Sequence, residues 1–318
     1  MEKSFPNMDG IILLNKPPGM TSHDCVARMR RISGIRKIGH TGTLDPQATG
    51  LLPLCLGQAT RIIPYLEEDD KVYVCKVTFG ARSDTYDIWG TMEEKRREEA
   101  DGLGNLSQGK IQSALEAFRG EIMQKPPMFS AIRMDGKRLY QYAREGKHVE
   151  VPERKVTIHD IQMMEYRDSE KEALLRIHCS KGTYVRSICH DLGNALGCGG
   201  VMSGLVRMAC GAMRLENAVT FEELTSMEDV IKNITPMEKP LVRLGKIQGK
   251  ISMRKALEDG KSVDVLPLEI SPPEVETDKP VKYRMMLEEE LAAIGSIQKG
   301  LFYPERVFKK KESDILES

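Results

Sequence analysis

Gly39-His40-Thr41-Gly42-Thr43-Leu44-Asp45-Pro46-Gln47-Ala48-Thr49-Gly50 is the stretch of this 318-residue chain where chemistry-bearing and conformationally special residues are densest. Three glycines in twelve residues imply sharp turns or close backbone approach to a ligand, and Pro46 pushes Asp45 toward an extended conformation. One carboxylate is thereby held on a restrained loop. His40, Thr41 and Thr43 supply polar contacts around it, and the apolar run Leu51-Leu52-Pro53-Leu54 anchors the loop to a core. As a bare pattern, Asp-Pro between glycines is also an ordinary turn, so the role of Asp45 has to be decided by the rest of the chain.

Upstream, Ile11 to Leu14 reads as a short buried strand. The turn Pro17-Pro18-Gly19 follows, and then a helix over about 22–32 capped by Thr21 or Ser22. Downstream, the β-branched and aromatic run Lys71 to Phe79 reads as a strand. A helix fits Ile111 to Phe118. Lys155 to Tyr166 and Ala173 to Ser180 read as two strands joined by the charged turn 167–171, with a helix from Val185 to Leu196 after them. Strands and helices mix without a βαβ rhythm. This predicts an α+β fold with a mixed, mainly antiparallel sheet rather than a doubly wound one.

The chain is 40% apolar and 30% charged, ordinary values for a globular protein with a real core. Its length suggests two unequal domains. No run approaches the ~18 apolar residues of a membrane span, and the apolar residues 10–14 are too few for a signal segment, so a cytoplasmic protein is expected. The seven cysteines are odd in number, widely spaced and without a C-x-x-C pair, which reads as reduced thiols. A metal site from His178, Cys179, Cys189, His190 and Cys198 is set aside, because neighbours on a strand point to opposite faces and the spacing fits no familiar zinc pattern. Formal net charge is zero, which counts mildly against nucleic acid. The charge is uneven, however. Arg28, Arg30, Arg31, Arg36 and Lys37 form a basic cluster just before the Asp45 loop, and a local patch suffices to meet phosphates. A solvated helix face is the alternative reading of that cluster.

Residues 124–151 differ in character, combining Pro126-Pro127, the basic side chains Arg133, Lys137, Arg138, Arg144 and Lys147, and Phe129, Tyr140, Tyr142 and His148. Aromatic rings stack on bases while cations meet phosphates, so the segment suits an RNA-contacting insertion; a partly buried helical hairpin is the alternative. Gly104 to Lys110 matches the front of a phosphate-binding loop, but Ile111 stands where Ser or Thr would hold Mg²⁺ and no strand precedes it, so nucleoside triphosphate binding is rejected. Beyond about Pro240 the pattern suggests a small β-rich domain with a loop at 271–276.

The Gly39–Gly50 string resembles the signature G-H-x-G-x-L-D-P-x-A-T-G of the bacterial tRNA pseudouridine-55 synthase family. Three further segments match in the family's order: Leu14-Asn15-Lys16-Pro17-Pro18-Gly19-Met20-Thr21-Ser22; Lys71-Val72-Tyr73 with Ser83-Asp84-Thr85-Tyr86-Asp87; and Cys179-Ser180-Lys181-Gly182-Thr183-Tyr184-Val185-Arg186. The resemblance is strong over about 10–235 and loose beyond. It implies a pseudouridine synthase fold over 1–238, carrying the insertion at about 124–151, and a PUA-like RNA-binding domain over 239–318. The implied reaction turns uridine into pseudouridine at position 55, in the T-loop of tRNA, with the T-arm stem-loop as the recognised element.

The same resemblance assigns roles. Asp45 is the nucleophile, Arg186 its charged partner, and Tyr73 lies on the uracil face and helps remove the C5 proton. Tyr184 and Leu205 line the base pocket, and His40 holds the base flipped out of its stack. Lys16 and Arg61 are phosphate-binding or pocket-supporting cations, although the family often has Lys at the latter position. The reaction is neither a redox step nor a hydrolysis, so no cofactor and no metal are expected. A monomer without an obligatory protein partner is expected, with no membrane association. The competing readings are a synthase of the same superfamily acting on another RNA or with guide RNA, a non-catalytic RNA-binding or chaperone protein, and an aspartate-nucleophile hydrolase.

Overall fold

The computed structural model describes residues 8–93, 102–134, 136–147, 149–275 and 280–309. Contacts divide the chain into two compact units: 1–46, 50–69 and 210–318 form the first, 47–49 and 70–209 the second.

In the first unit, Gly10–Lys16 lies antiparallel to Thr49–Leu56, with Leu13 opposite Pro53, and to the short strand Ile234–Thr235 on its other side. The helix Ser22–Ser33 begins at a capping box, in which the Thr21 hydroxyl accepts from the Asp24 amide and the Asp24 carboxylate accepts from the Thr21 amide. It ends at Gly34 in the left-handed conformation. The C-terminal part is a six-stranded sheet in the order Val263–Asp264, Leu301–Val307, Glu290–Gln298, Tyr283–Leu287, Gly245–Gly249, Glu269–Ser271. One face has its own core around Ile247, Met285, Ala293 and Phe302. A second core joins Met286, Leu291, Ile294 and Phe308 of this part to Ile11, Leu13, Leu51 and Cys55 of the N-terminal strands.

The second unit is a sheet in the order Gly200–Cys210, Lys71–Phe79, Glu172–Cys179, Arg154–Arg167, Gly120–Gln124. Lys71–Phe79 with Glu172–Cys179, Glu172–Cys179 with Arg154–Arg167, and Arg154–Arg167 with Gly120–Gln124 are antiparallel pairs. In Glu172–Cys179 every second residue is buried, the period of a sheet packed on one face. That face meets Ile111 and Leu115 of the helix Gln108–Leu115, and Ile188, Cys189 and Leu192 of the helix Val185–Ala195. The latter helix runs hard against the strand that follows it: a Cβ added at Gly193 would overlap the Gly200 amide, and one at Gly200 would stand 2.7 Å from the Cys189 carbonyl.

The expected elements are present with small shifts. The helix expected from Ile111 starts at Gln108 because the Ser107 hydroxyl accepts from the Lys110 amide, and its last turn, Glu116–Phe118, is 3₁₀. In place of a helical hairpin, 124–151 holds the two-residue strands Arg133–Met134 and Lys137–Arg138 followed by the helix Leu139–Arg144. His148 and Glu276 lie outside the described residues. All seven cysteines are free and buried. Among the described residues no helix is long and apolar enough to cross a membrane.

Candidate active site

Asp45 is half-buried, and the residues on both of its sides are fixed by residues of the preceding strand, turn and helix. On the N-terminal side, the Ser22 hydroxyl accepts from the Leu44 amide at 3.0 Å and lies 3.4 Å from the Leu44 carbonyl. On the C-terminal side, the Pro46 carbonyl accepts from the Lys16 ammonium at 2.9 Å and from the Gly19 amide at 2.9 Å. The ammonium also donates to the Pro17 carbonyl. Two motifs far apart in the sequence are thus one structure: 14–22 is the cradle and 39–50 the loop it holds. Gly42 and Gly50, at φ of 73° and 94°, supply the left-handed backbone where the loop leaves one strand and enters the next.

Lys16 is fully buried. Its charge is directed at backbone carbonyls behind the loop, so of the two roles expected for it the supporting one fits this position and phosphate contact does not. Arg61 donates to the Val307 carbonyl and places its guanidinium 5.5 Å from the centre of the Phe308 ring, tying its 3₁₀ turn to the end of the last strand. His40 is half-buried, with its ring edge-to-face with His23 at 5.4 Å. In the basic cluster, Arg28 stacks 4.3 Å from the Phe221 ring centre and Arg30 donates to the Ile38 carbonyl. Arg28 and Arg31, with Met20, Ile32 and Thr225, line an open groove of about 550 Å³.

The second unit carries Tyr73, Tyr184, Arg186 and Leu205. Tyr73 and Leu205 pack half-buried against the sheet core. Tyr184 caps the helix Val185–Ala195, and its main chain is held in both directions by buried Gln124, whose amide oxygen accepts from the Tyr184 amide at 2.7 Å while its amide nitrogen donates to the Tyr184 carbonyl. Arg186, in the first turn, is buried. It donates to the carbonyls of Thr85 and Phe129 at 3.1 and 3.0 Å and lies 3.6 Å from the Asp87 carboxylate. Asp87 is itself oriented, because its other oxygen accepts from the Thr85 hydroxyl and the Trp89 amide. The segment Ser83–Asp87 is therefore a folded turn that fixes a guanidinium. Behind it, Tyr86 stacks on His190 at 3.9 Å.

Sequence reasoning assigned no role to Asp87 or Gln124, and gave Ser22 only as a possible helix cap. Ser22 and Asp87 lay inside the quoted segments, where their polarity beside a turn was the available signal. Gln124 gave none.

The segments that cradle Asp45 and fix Arg186 are those on which the family resemblance rested, and the comparisons with known proteins agree with it. Residues 30–185 match the model of the TruB family pseudouridylate synthase N-terminal domain, and 186–243 that of the tRNA pseudouridylate synthase B C-terminal domain. The chain belongs to the TruB family of pseudouridylate synthases. It is 42% identical over 256 residues to the tRNA pseudouridine synthase B of Alkaliphilus oremlandii, covering 80% of this chain and 83% of that protein. With the protein of the same name from Pelotomaculum thermopropionicum it shares 39% over 309 residues, 95% and 96% of the two chains. Among solved structures it resembles a chain of an H/ACA ribonucleoprotein bound to a substrate RNA containing 2′-deoxyuridine. The TM-score there is 0.72 at 26% identity, over 95% of this chain and 86% of that one. It also resembles a chain of an archaeal box H/ACA Nop10–Cbf5 complex, with a TM-score of 0.71 at 27% identity over 95% and 87%. The α+β architecture with its C-terminal β-rich part is that of the pseudouridine synthases of this family.

Proposed function

We propose that this TruB-family enzyme isomerises uridine to pseudouridine at position 55, in the T-loop of tRNA, with Asp45 as nucleophile. The observation that carries the role of Asp45 is the two-sided grip on its loop, by Ser22 before it and by Lys16 and Gly19 after it. A carboxylate whose loop is held on both sides keeps one position, which is what attack on a single atom of the nucleoside requires.

In the reaction the bond from C1′ to N1 breaks, the uracil turns, and C1′ joins C5. The C5 proton is lost and N1 gains one, so atoms and electrons balance with no oxidant and no water consumed. Arg186 is the charged partner that keeps Asp45 ionised. The ring of Tyr73 lies on the base and its phenol assists removal of the C5 proton. Tyr184 and Leu205 line the pocket, and His40 contacts the RNA from which the base has been flipped. Residues 124–151 and 239–318 supply further RNA contacts, the latter as a PUA-like module. The exposed cations Arg133 and Arg144 suit this, whereas Lys137 and Lys147 are both paired with Glu145.

Incubating the protein with unmodified tRNA and mapping any pseudouridine tests the reading directly. Modification at position 55 that disappears in Asp45→Asn, with RNA binding retained, is the expected result. Product at another site alone, or an active Asp45→Asn preparation shown by mass spectrometry to be free of deamidation, overturns it. The H/ACA-like structures favour a second reading, a guide-dependent enzyme, which predicts no product from the purified protein and tRNA alone.

A further inference from the structure

Asp70, His159 and His178 lie together on the second unit, and one ligand-capable atom from each falls within 4.8 Å of the other two. Their convergence follows from the sheet. His178 is on the strand Glu172–Cys179, opposite Val72 on one neighbour and Asp160 on the other. His159 is the extra residue of a bulge between Ile158 and Asp160, which sets its ring beside His178, centroids 4.7 Å apart. Asp70 immediately precedes the strand Lys71–Phe79, and its carboxylate lies 3.4 Å from His159 Nε2.

We propose that these three side chains form a binding site for a zinc-class divalent cation, separate from the uridine chemistry. Two imidazoles and one carboxylate are a donor set of borderline softness that suits Zn²⁺ and its neighbours in the transition series. Donors at ~2.0–2.2 Å from a tetrahedral ion stand roughly 3.3–3.6 Å from one another. The Asp70–His159 separation already has that value, and rotation of the half-buried His178 and the exposed His159 closes the rest. With three protein ligands, the fourth position falls to water. Of the five residues set aside as a metal set from sequence, only His178 takes part. Cys179 and Cys189 belong to the buried core on the other face of the sheet, as strand alternation required.

The test uses the full chain with any purification tag removed and metal stripped by chelation, titrated with Zn²⁺ by calorimetry and with Co²⁺ by visible absorption. One equivalent of Zn²⁺ and d–d bands of low-coordinate Co²⁺ are expected. Both should be lost in His159→Gln/His178→Gln, with affinity falling about tenfold or more, and weakened in Asp70→Asn. The single variant Asp70→Asn keeps the test open if the double variant does not fold. Pseudouridine formation should be the same with and without the metal. No binding by the parent, or equal binding by parent and all variants, overturns the proposal.

Discussion

The Lys16 ammonium donates to the Pro46 carbonyl at 2.9 Å, so a fully buried cation grips the residue directly after Asp45. Lys16→Met keeps most of the buried stem and removes the donors. Hydrogen bonds from a charged donor contribute ~1.5–3 kcal/mol, and a loop displaced by an ångström costs on the order of 100-fold in rate. We expect kcat for tRNA to drop roughly 10- to 100-fold with little change in the Kd of a T-arm stem-loop. Unchanged kcat in a folded Lys16→Met protein would remove the loop grip from the mechanism.

Tyr73→Phe preserves the ring and deletes the phenol. Stem-loop affinity should stay near that of the parent while the rate of product formation falls steeply, read in a single-turnover assay that separates binding from chemistry. A parental rate would leave stacking as the residue's role.

Adjacent residues of the helix Val185–Ala195 bear opposite pH signatures. Burial, then Glu153, raises Asp191 from 3.8 to about 6, and burial with Arg82 lowers His190 from 6.5 to about 4. The folded state disfavours the charged form of each. The Asp191 penalty is absent below about pH 4, grows as pH rises to about 6, and is complete at neutral pH; the His190 penalty grows as pH falls from 6.5 toward 4. Asp191→Asn should therefore unfold at a higher temperature than the parent at pH 7, with the gap closing toward pH 4. His190→Gln should show the reverse, gaining on the parent as pH falls. Thermal melts of the three proteins from pH 4 to 7.5 decide it, and parallel curves would count against both assignments.

Removing 240–318 should weaken binding of whole tRNA by about 1–3 kcal/mol and flatten its salt dependence, as loss of phosphate contacts does. The shared core adds a second expectation. Met286, Leu291, Ile294 and Phe308 cover Ile11, Leu13 and Leu51, so the truncation also bares the strand that leads into Lys16. Its melting temperature should fall well below the parent's, and turnover at saturating RNA should be recovered at low temperature, where the remnant is folded. Equal affinity losses on tRNA and on the isolated stem-loop would mean that the segment acts on the catalytic part alone.

Local signals carried much of this structure. The β-branched run 71–79 is a strand over its whole expected length, and Thr21 caps the helix as its position before a periodic segment implied. The Asp45 loop was legible because its turn residues act locally. Lys16 was not, since a lysine in sequence reads as a surface cation, and its burial depends on carbonyls 30 residues away. Gln124 meets both main-chain groups of Tyr184 across 60 residues, a long-range fit that leaves no periodicity behind. The common core of the first and last strands escaped for the same reason. Each strand's apolar residues announce burial, but not what buries them.

The glycine crossing in the second unit shows the position of a guanidinium being set by missing atoms. Arg186 opens a helix whose far end passes Gly193 against Gly200, seven residues or about 10 Å along the axis. A single methyl group there would have to lift the helix from the strand, and a rigid rod lifted at one end swings at the other. The aim of the guanidinium is thus encoded partly as empty volume, at a position whose near neighbours are the backbone atoms of Gly199 and Gly200. A survey of variants scored only by distance from the reacting atoms would rank it among the most harmless.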